Sequence, residues 1–216
     1  MSLPGDTSTG GSANIKRAYE PKTVDNTRTL YDEWADQYDK EVAEEGYQAP
    51  ALAVEAIQSF IGPSNMPKAT FLDAGCGTGL VAKLLKGYGA SEIDGVDLSP
   101  GMLDVARKTG NYRSLEEADL SQPMKQRDES YDVVACVGTL TRAHVGPRVL
   151  SEFARIVKKD GLIVATILDD IWETGGYKSE VDQLVGSGKA EVVRLDTTGY
   201  RVNSDVGAKM LVMKRL

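Results

Sequence analysis

The sequence predicts an α/β protein whose doubly wound, mostly parallel sheet has seven strands. Short apolar runs alternate with amphipathic runs over 69–167, and this alternation is typical of strands and helices that cover both faces of a parallel sheet. A glycine-rich segment, 75–79, joins the first apolar run to the amphipathic run that follows it. Two later runs, 191–195 and 209–214, are close enough in sequence to form an antiparallel hairpin at the sheet edge, with a turn around 203–205.

Each element has its own signal. A first helix, 27–40, carries apolar and aromatic residues on one stripe, and of these Trp34 is expected to be core. A second helix, 50–61, begins at Pro50 and stops at Gly62. The parallel strands are predicted at 69–73, 92–97, 112–116, 131–137 and 161–167, and the helices between and after them at 79–86, 100–108, 147–157 and 179–184.

The length and composition predict one domain preceded by a tail. A chain of 216 residues is long enough to bury a full core. Residues 1–25 are expected to be a flexible tail, because the first 11 are rich in Ser, Thr and Gly. Residues 26–216 are expected to form the domain.

The charge and hydropathy patterns disfavour two kinds of partner. The net charge of −7, with Lys and Arg scattered along the chain, argues against nucleic acid, because a polyanion would be repelled on average. No apolar stretch approaches the roughly 18 residues of a membrane span, and the amino terminus lacks the order of a signal peptide. We therefore predict no membrane partner and a cytoplasmic location. The sequence does not indicate the oligomeric state.

The glycine-rich segment predicts a place where a ligand contacts backbone. Glycine lacks a Cβ and can take positive φ, so its peptide N–H groups stay accessible at the start of the following helix. Asp97 closes the second strand 18 residues after Gly79. An acid about 20 residues past such glycines can accept from both hydroxyls of a ribose. The first half of the chain is therefore predicted to bind a nucleoside.

Two features of the loop bear on which nucleoside is bound. A dinucleotide-binding loop has a third glycine where this chain has Leu80. Asp73, directly before the glycines, would repel a pyrophosphate but attract an ammonium group, directly or through water. S-adenosylmethionine (SAM) has a ribose, an ammonium group and no phosphate, so it fits the loop better than a nicotinamide dinucleotide, which is kept as the least favoured alternative.

The segments 73–79, 97–102 and 131–140 together resemble the class I SAM-dependent methyltransferases, whose sheet is Rossmann-like. The resemblance extends over roughly 29–159. More narrowly, similarity to the Williams–Beuren-region methyltransferase-like family is carried by Tyr31-x-x-Trp34-Ala35-x-x-Tyr38-Asp39, Tyr47-x-Ala49-Pro50 and Val137-Gly138-Thr139-Leu140-Thr141.

The resemblance implies where the cofactor is held. In such enzymes the glycine loop lies under the methionine part of SAM, and the acid after the second strand holds the ribose. The acid after the third strand accepts from the adenine amino group, and tyrosines of a helical amino-terminal segment over the site reach the methionine carboxylate. By position, the cofactor residues are Tyr31, Tyr38, Asp73, Gly75, Gly77, Asp97, Leu98, Met102, Asp119, Leu120 and Val137. For two of them a structural role is the alternative to cofactor binding: Met102 would be a core residue, and Asp119 would be part of a solvated turn.

The acceptor side has fewer signals. His144, the only histidine, follows the fourth strand, where acceptors bind in similar enzymes, and it is the candidate general base because an imidazole titrates near neutral pH. Tyr47 is a candidate lid residue, and further pocket candidates just past the fifth strand are Asp169, Asp170 and Trp172. No metal site is predicted, although the adjacent acids Asp169 and Asp170 leave open the alternative that they bind a divalent cation.

We therefore expect SAM-dependent methyl transfer to a small molecule or a short peptide, by direct displacement from the sulfonium. Such a displacement needs alignment more than covalent help. The alternative is a non-catalytic SAM-binding sensor or partner subunit, which an acceptor pocket blocked by Trp172 or Tyr177 would favour. The sequence does not indicate whether oxygen, nitrogen, sulfur or carbon accepts the methyl group.

Overall fold

A computed structural model of the chain describes residues 12–20, 23–142, 145–201 and 206–216. In chain order, its strands are β1 Thr70–Ala74, β2 Glu92–Asp97, β3 Ser114–Glu117, β4 Tyr131–Leu140, β5 Val157–Leu168, β6 Ala190–Gly199 and β7 Gly207–Arg215. Its helices are α1 Ala13–Ala18, α2 Val24–Glu44, α3 Ala49–Ile61, α4 Leu80–Gly87, α5 Pro100–Lys108, α6 Val149–Ile156, α7 Asp169–Trp172 and α8 Tyr177–Gly186. Among these described helices, none is both long enough and apolar enough to cross a membrane.

The seven described strands form one sheet in the order β3-β2-β1-β4-β5-β7-β6. Strands β1 to β5 run parallel, whereas β7 is antiparallel to both β5 and β6. The predicted mostly parallel sheet with an antiparallel carboxyl-terminal hairpin is therefore confirmed. The predicted turn of that hairpin, 203–205, lies outside the described residues.

The core lies on both faces of the sheet. Successive residues of a strand point to opposite faces, and in β4 every residue from Val133 to Val137 is buried. Val133 and Ala135 pack with apolar residues of α3 and α4, whereas Val134 and Cys136 pack with those of α6 and α8. Because helices cover both faces, the central strands are continuously apolar and do not alternate with polar residues.

The strand order reverses between β1 and β4. The chain moves outward from β1 through β2 to β3, then returns to place β4 on the other side of β1. In an open α/β sheet, ligands bind in the crevice outside the carboxyl ends of the strands at this point. The glycine loop follows β1, and Asp97 is the last residue of β2, so both lie at that edge.

The amino-terminal region departs from the prediction of a flexible tail over 1–25. Residues Ala13–Ala18 form α1, in which Ile15 and Ala18 are buried against the apolar side of α2. Ser12 caps this helix by accepting from the Ile15 amide at 3.4 Å. The composition argument concerned the first 11 residues, whereas α1 follows them and packs two apolar side chains on α2. Residues 1–11 lie outside the described residues.

Helix α2 is also longer than predicted, at Val24–Glu44 against 27–40. Trp34 is buried, as predicted, and its Nε1 donates to Glu41 at 3.0 Å. Glu41 accepts in addition from Ser12 and Asn14, the residues at the start of α1. One carboxylate therefore ties the first helix to the second.

Candidate functional site

The loop after β1 holds glycines at positions where a side chain would not fit. Gly75 has a φ of 75°, and a Cβ added there would lie 2.1 Å from the Oγ1 of Thr139 in β4. The amides of Gly75 and Cys76 both donate to the Val96 carbonyl of β2, at 2.8 and 3.0 Å. The loop is thus packed closely against both neighbouring strands.

Asp97 joins this loop to the next helix. Its Oδ2 accepts from the Gly77 amide at 2.8 Å, and its Oδ1 accepts from the Ser99 amide at 2.9 Å. Burial raises the pKa of Asp97, while these backbone hydrogen bonds lower it. An ionised carboxylate offers about four acceptor positions, so the two oxygens keep capacity for hydroxyl donors of a ligand.

Asp73 is a second buried acid at this edge, 1% exposed. Its Oδ2 accepts from the Tyr112 hydroxyl at 2.7 Å, and its Oδ1 has no partner among the described residues. Tyr112 reaches it past Gly95, where a Cβ would lie 2.8 Å from the ring. Burial raises the pKa of Asp73 to about 7, although the Tyr112 hydrogen bond lowers it. This acid therefore changes its charge near neutral pH.

Two acids of α2 hold that helix over the crevice. Asp32 and Asp39 are seven residues apart, which places them on one face of a helix with 3.6 residues per turn. Asp32 caps α5, since its Oδ1 accepts from the Ser99 hydroxyl at 2.6 Å and from the Gly101 amide at 2.8 Å. Asp39 accepts from the Thr78 hydroxyl at 2.5 Å. The helix is therefore attached to the loops that follow both β1 and β2.

A cavity with about 710 Å³ of empty space opens under α2 at the carboxyl ends of the strands. The structure brings ten of the eleven predicted cofactor residues to its wall: Tyr31, Tyr38, Gly75, Gly77, Asp97, Leu98, Met102, Asp119, Leu120 and Val137. Asp73 is the exception, because it is buried within β1 before the loop begins. Burial raises the pKa of Tyr31 and Tyr38, so both phenols stay protonated and can donate.

A second cavity, of about 400 Å³, adjoins the first and shares with it the wall residues Tyr31, Tyr38 and Gly138. Its wall is largely aromatic and contains Tyr19, Tyr31, Trp34, Tyr38, Tyr47 and Tyr200. Among the described wall residues, Arg201 is the one with a charged side chain. An apolar pocket with few polar groups is the usual form of a small-molecule site.

The predicted acceptor residues have different outcomes. His144 lies outside the described residues, so its role stays a prediction. Tyr47 lines the second cavity, with its ring centroid 5.2 Å from that of Tyr200. The structure does not bring the three candidates after β5 to either cavity: Asp169 pairs with Lys209, Asp170 pairs with Arg142, and Trp172 is buried in the core.

Sequence reasoning missed several residues of the site. Asp39 stands beside Tyr38 in the aromatic stripe, and its spacing from Asp32 is a signal that both share a face. Tyr112 and Arg201 have no comparable signal, because their contacts join segments that are distant in sequence. The contact between Tyr112 and Asp73, for example, spans 39 residues.

Residues 72–165 match a family model described as a methyltransferase domain. Human methyltransferase-like protein 27 is 36% identical over 156 residues, which make up 71% of this chain and 62% of that protein. The ubiquinone biosynthesis O-methyltransferase of Nitrosomonas europaea is 30% identical over 122 residues, which make up 55% of this chain and 51% of that protein. The chain thus spans between half and two thirds of the length of these curated relatives.

The magnesium protoporphyrin IX methyltransferase of Synechocystis PCC 6803, solved with bound SAM, has a similar fold. The TM-score is 0.60 at 17% identity, and the match covers 94% of this chain and 90% of that one. At this identity the likeness concerns the fold alone. It agrees with the Rossmann-like sheet expected from the sequence.

We expect Gly75→Ala to weaken the binding of S-adenosylhomocysteine (SAH) about 10-fold or more, because the added Cβ overlaps Thr139 and strains the loop. Gly62→Ala is the matched control, since Gly62 also has a positive φ, 78°, but its Cβ would meet no atom within 4 Å. Isothermal titration calorimetry measures both affinities. Equal SAH affinity in the two variants would show that the loop does not contact the cofactor.

Without cofactor, we expect the contribution of Asp73 to the free energy of unfolding to fall as the pH rises from about 4 to about 7. The pKa of Asp73 in the folded protein, about 7, exceeds the ordinary value of 3.8. The folded state therefore keeps a proton that the unfolded state loses over this range, and the stabilisation present below pH 4 disappears as the pH passes 7.

Chemical denaturation at several pH values tests this assignment. Asp73→Asn should remove this contribution, so the free energy of unfolding of the wild type minus that of the variant should fall between pH 4 and pH 7. Asp36→Asn, which changes an exposed acid on α2, should leave the profile as in the wild type. A wild-type slope that persists in Asp73→Asn would contradict the assignment.

Proposed function

Because this chain contains a class I SAM-dependent methyltransferase domain, we propose that it transfers the methyl group of SAM to a small molecule or a short peptide. SAM is the cofactor of this family. The observation that carries the proposal is the cavity at the carboxyl ends of the strands, whose wall contains ten of the residues predicted for the cofactor.

The chemistry of the wall suits the cofactor. We assign the ribose hydroxyls to Asp97, whose carboxylate is already fixed by two backbone amides. We assign the adenine amino group to Asp119, which is fixed in turn by the Ser121 amide at 2.9 Å. The Oδ1 of Asp73 has no partner among the described residues, which is unfavourable for a buried carboxylate oxygen. Asp73 does not line the cavity, so we infer that it acts on the ammonium group through water.

The chain contributes alignment to the reaction. When bound, SAM supplies a methyl group that its sulfonium has already activated. Alignment of two reactants supplies about 7–11 kcal/mol in the best intramolecular cases. Helix α2 is fixed to two loops by Asp32 and Asp39 and covers the cavity, so it holds the site in one arrangement and limits the access of water.

The second cavity supports a small acceptor. It shares three wall residues with the cofactor cavity, so an occupant would lie next to the cofactor. Its aromatic wall offers apolar surface to a small molecule or to one end of a short peptide. The net charge of −7 argues in the same direction, against a polyanionic acceptor.

The alternative of a non-catalytic SAM-binding protein has less support. It would be favoured if Trp172 or Tyr177 filled the acceptor pocket, but neither lines the second cavity. Trp172 is buried in the core, and the Tyr177 hydroxyl donates to the Val145 carbonyl. The cavity beside the cofactor site therefore stays open to an acceptor.

We expect Asp97→Asn to weaken SAM and SAH binding about 10- to 100-fold, because the substitution removes charge-assisted hydrogen bonds to the ribose. Asp104→Asn, which changes an exposed acid on the adjacent helix α5, is the matched control and should bind as the wild type does. Calorimetry with SAM, SAH and NAD measures the affinities, and thermal unfolding confirms that the variants fold. Binding of NAD without binding of SAM by the wild type would overturn the proposed function.

We propose His144 as the general base for an acceptor that must lose a proton. Loss of a general base slows proton transfer about 100-fold or more. We therefore expect His144→Ala to transfer label from radiolabelled SAM to an extract of the host at least about 100-fold more slowly, at unchanged SAH affinity. An unaltered rate in this variant would exclude His144 from proton transfer.

A further inference from the structure

The second cavity contains a buried cation that the described residues do not neutralise. Arg201 lines this cavity and is 4% exposed. Its Nη2 donates to the Tyr19 hydroxyl at 2.9 Å, whereas Nε and Nη1 have no hydrogen-bond partner among the described residues. A guanidinium carries five N–H donors, so most of the donors of this side chain are unused.

The neighbouring arginine shows the contrast. Arg142 and Arg201 face the ring of Tyr19, with their Cζ atoms 5.4 and 5.1 Å from its centroid. Arg142 pairs with Asp170, whereas the ion pairs of the described residues include none to Arg201. A buried charge without a partner is strongly unfavourable. An anionic group that enters the cavity would supply the missing partner.

Backbone contacts keep Arg201 at the wall of the cavity. Tyr47 and Arg201 form an antiparallel bridge, and the Gln48 amide donates to the Tyr200 carbonyl at 3.3 Å. The segment after α2 therefore meets the segment after β6 at this wall. The position of the guanidinium is set by the fold, and Tyr19 fixes it further by a hydrogen bond and by its ring.

We propose that the methyl acceptor is a small carboxylic acid with a planar apolar body, whose carboxylate binds to Arg201 in the second cavity. The proposal rests on the proposed methyltransferase function and names the class of acceptor for the same site. A guanidinium binds a carboxylate through charge-assisted hydrogen bonds, and the aromatic wall offers flat surfaces to the rest of the molecule.

The aromatic residues of the cavity do not compete for the cation. Burial raises the pKa of Tyr38, Tyr47 and Tyr200 well above the usual range. These phenols are therefore neutral at physiological pH. None of these three side chains therefore supplies a negative charge to Arg201.

Gly138 lies where the two cavities meet. It lines both cavities, has a φ of 79°, and a Cβ added there would lie 2.2 Å from the Tyr47 hydroxyl. Arg201 lines the second cavity and not the first. An acid bound to it therefore presents its opposite end toward the wall that the two cavities share. In the transfer, the atom at that end bonds to the methyl carbon, the electron pair of the carbon–sulfur bond goes to sulfur, and the acceptor group releases its proton.

The test uses the full chain saturated with SAH and matched pairs of probes. The acids are benzoate, phenylacetate and 3-phenylpropanoate, and each is compared with its amide by calorimetry. We expect the wild type to bind at least one acid about 10-fold or more tightly than its amide. Arg201→Met should abolish that preference, whereas Arg201→Lys should restore part of it by keeping the charge. Arg142→Met is the matched control and should retain the preference.

Two results would overturn the proposal. One is equal binding of every acid and its amide by the wild type. The other is a loss of SAH affinity in Arg201→Met and Arg201→Lys, which would mean that Arg201 binds the carboxylate of the cofactor instead. Failure of the proposed function gives a different pattern: the wild type would not bind SAH, and an acid preference measured without SAH would still depend on Arg201.

Discussion

The site depends on the carboxylate of Asp97, which binds two separate pieces of backbone. Through one oxygen it holds the glycine loop after β1, and through the other it holds the start of α5. Ser99 donates its amide hydrogen to Asp97 and its hydroxyl hydrogen to Asp32 of α2. A single acid thus connects the loop below the cavity, the helix beside it and the helix above it. The loss of the contact with Ser99 would leave a buried donor unpaired, which costs about 1–3 kcal/mol.

Acids concentrated at this edge would be unfavourable without a cation. Asp73 is buried and Asp97 is partly buried here, and desolvation raises the pKa of each. A ligand that brings a positive charge reduces this penalty, and a ligand that binds only the folded state stabilises that state. The second cavity has the opposite character, because Arg201 is its charged wall residue among those described. The two neighbouring cavities therefore favour ligands of opposite charge.

Most of the sheet could be predicted from the sequence, because buried parallel strands are continuous apolar runs and the turns carry glycine. The resemblance to class I SAM-dependent methyltransferases predicted the residues that line the cavity under α2, and ten of these residues do lie together there. Their role as cofactor residues stays a prediction. Helix α1 was not predicted, and its buried side chains pack on α2. Arg201 and Tyr112 could not be predicted, because each is placed by contacts with segments far away in sequence. The cytoplasmic location and the role of His144 stay predictions.

A crystal structure of the chain grown with SAH shows whether the cavity under α2 binds the cofactor. We expect density for the adenosyl group in that cavity, with the ribose hydroxyls within hydrogen-bond distance of Asp97 and the methionine end toward the wall that both cavities share. Density for SAH elsewhere on the chain would contradict this assignment. So would a cavity filled by the protein's own side chains at saturating SAH.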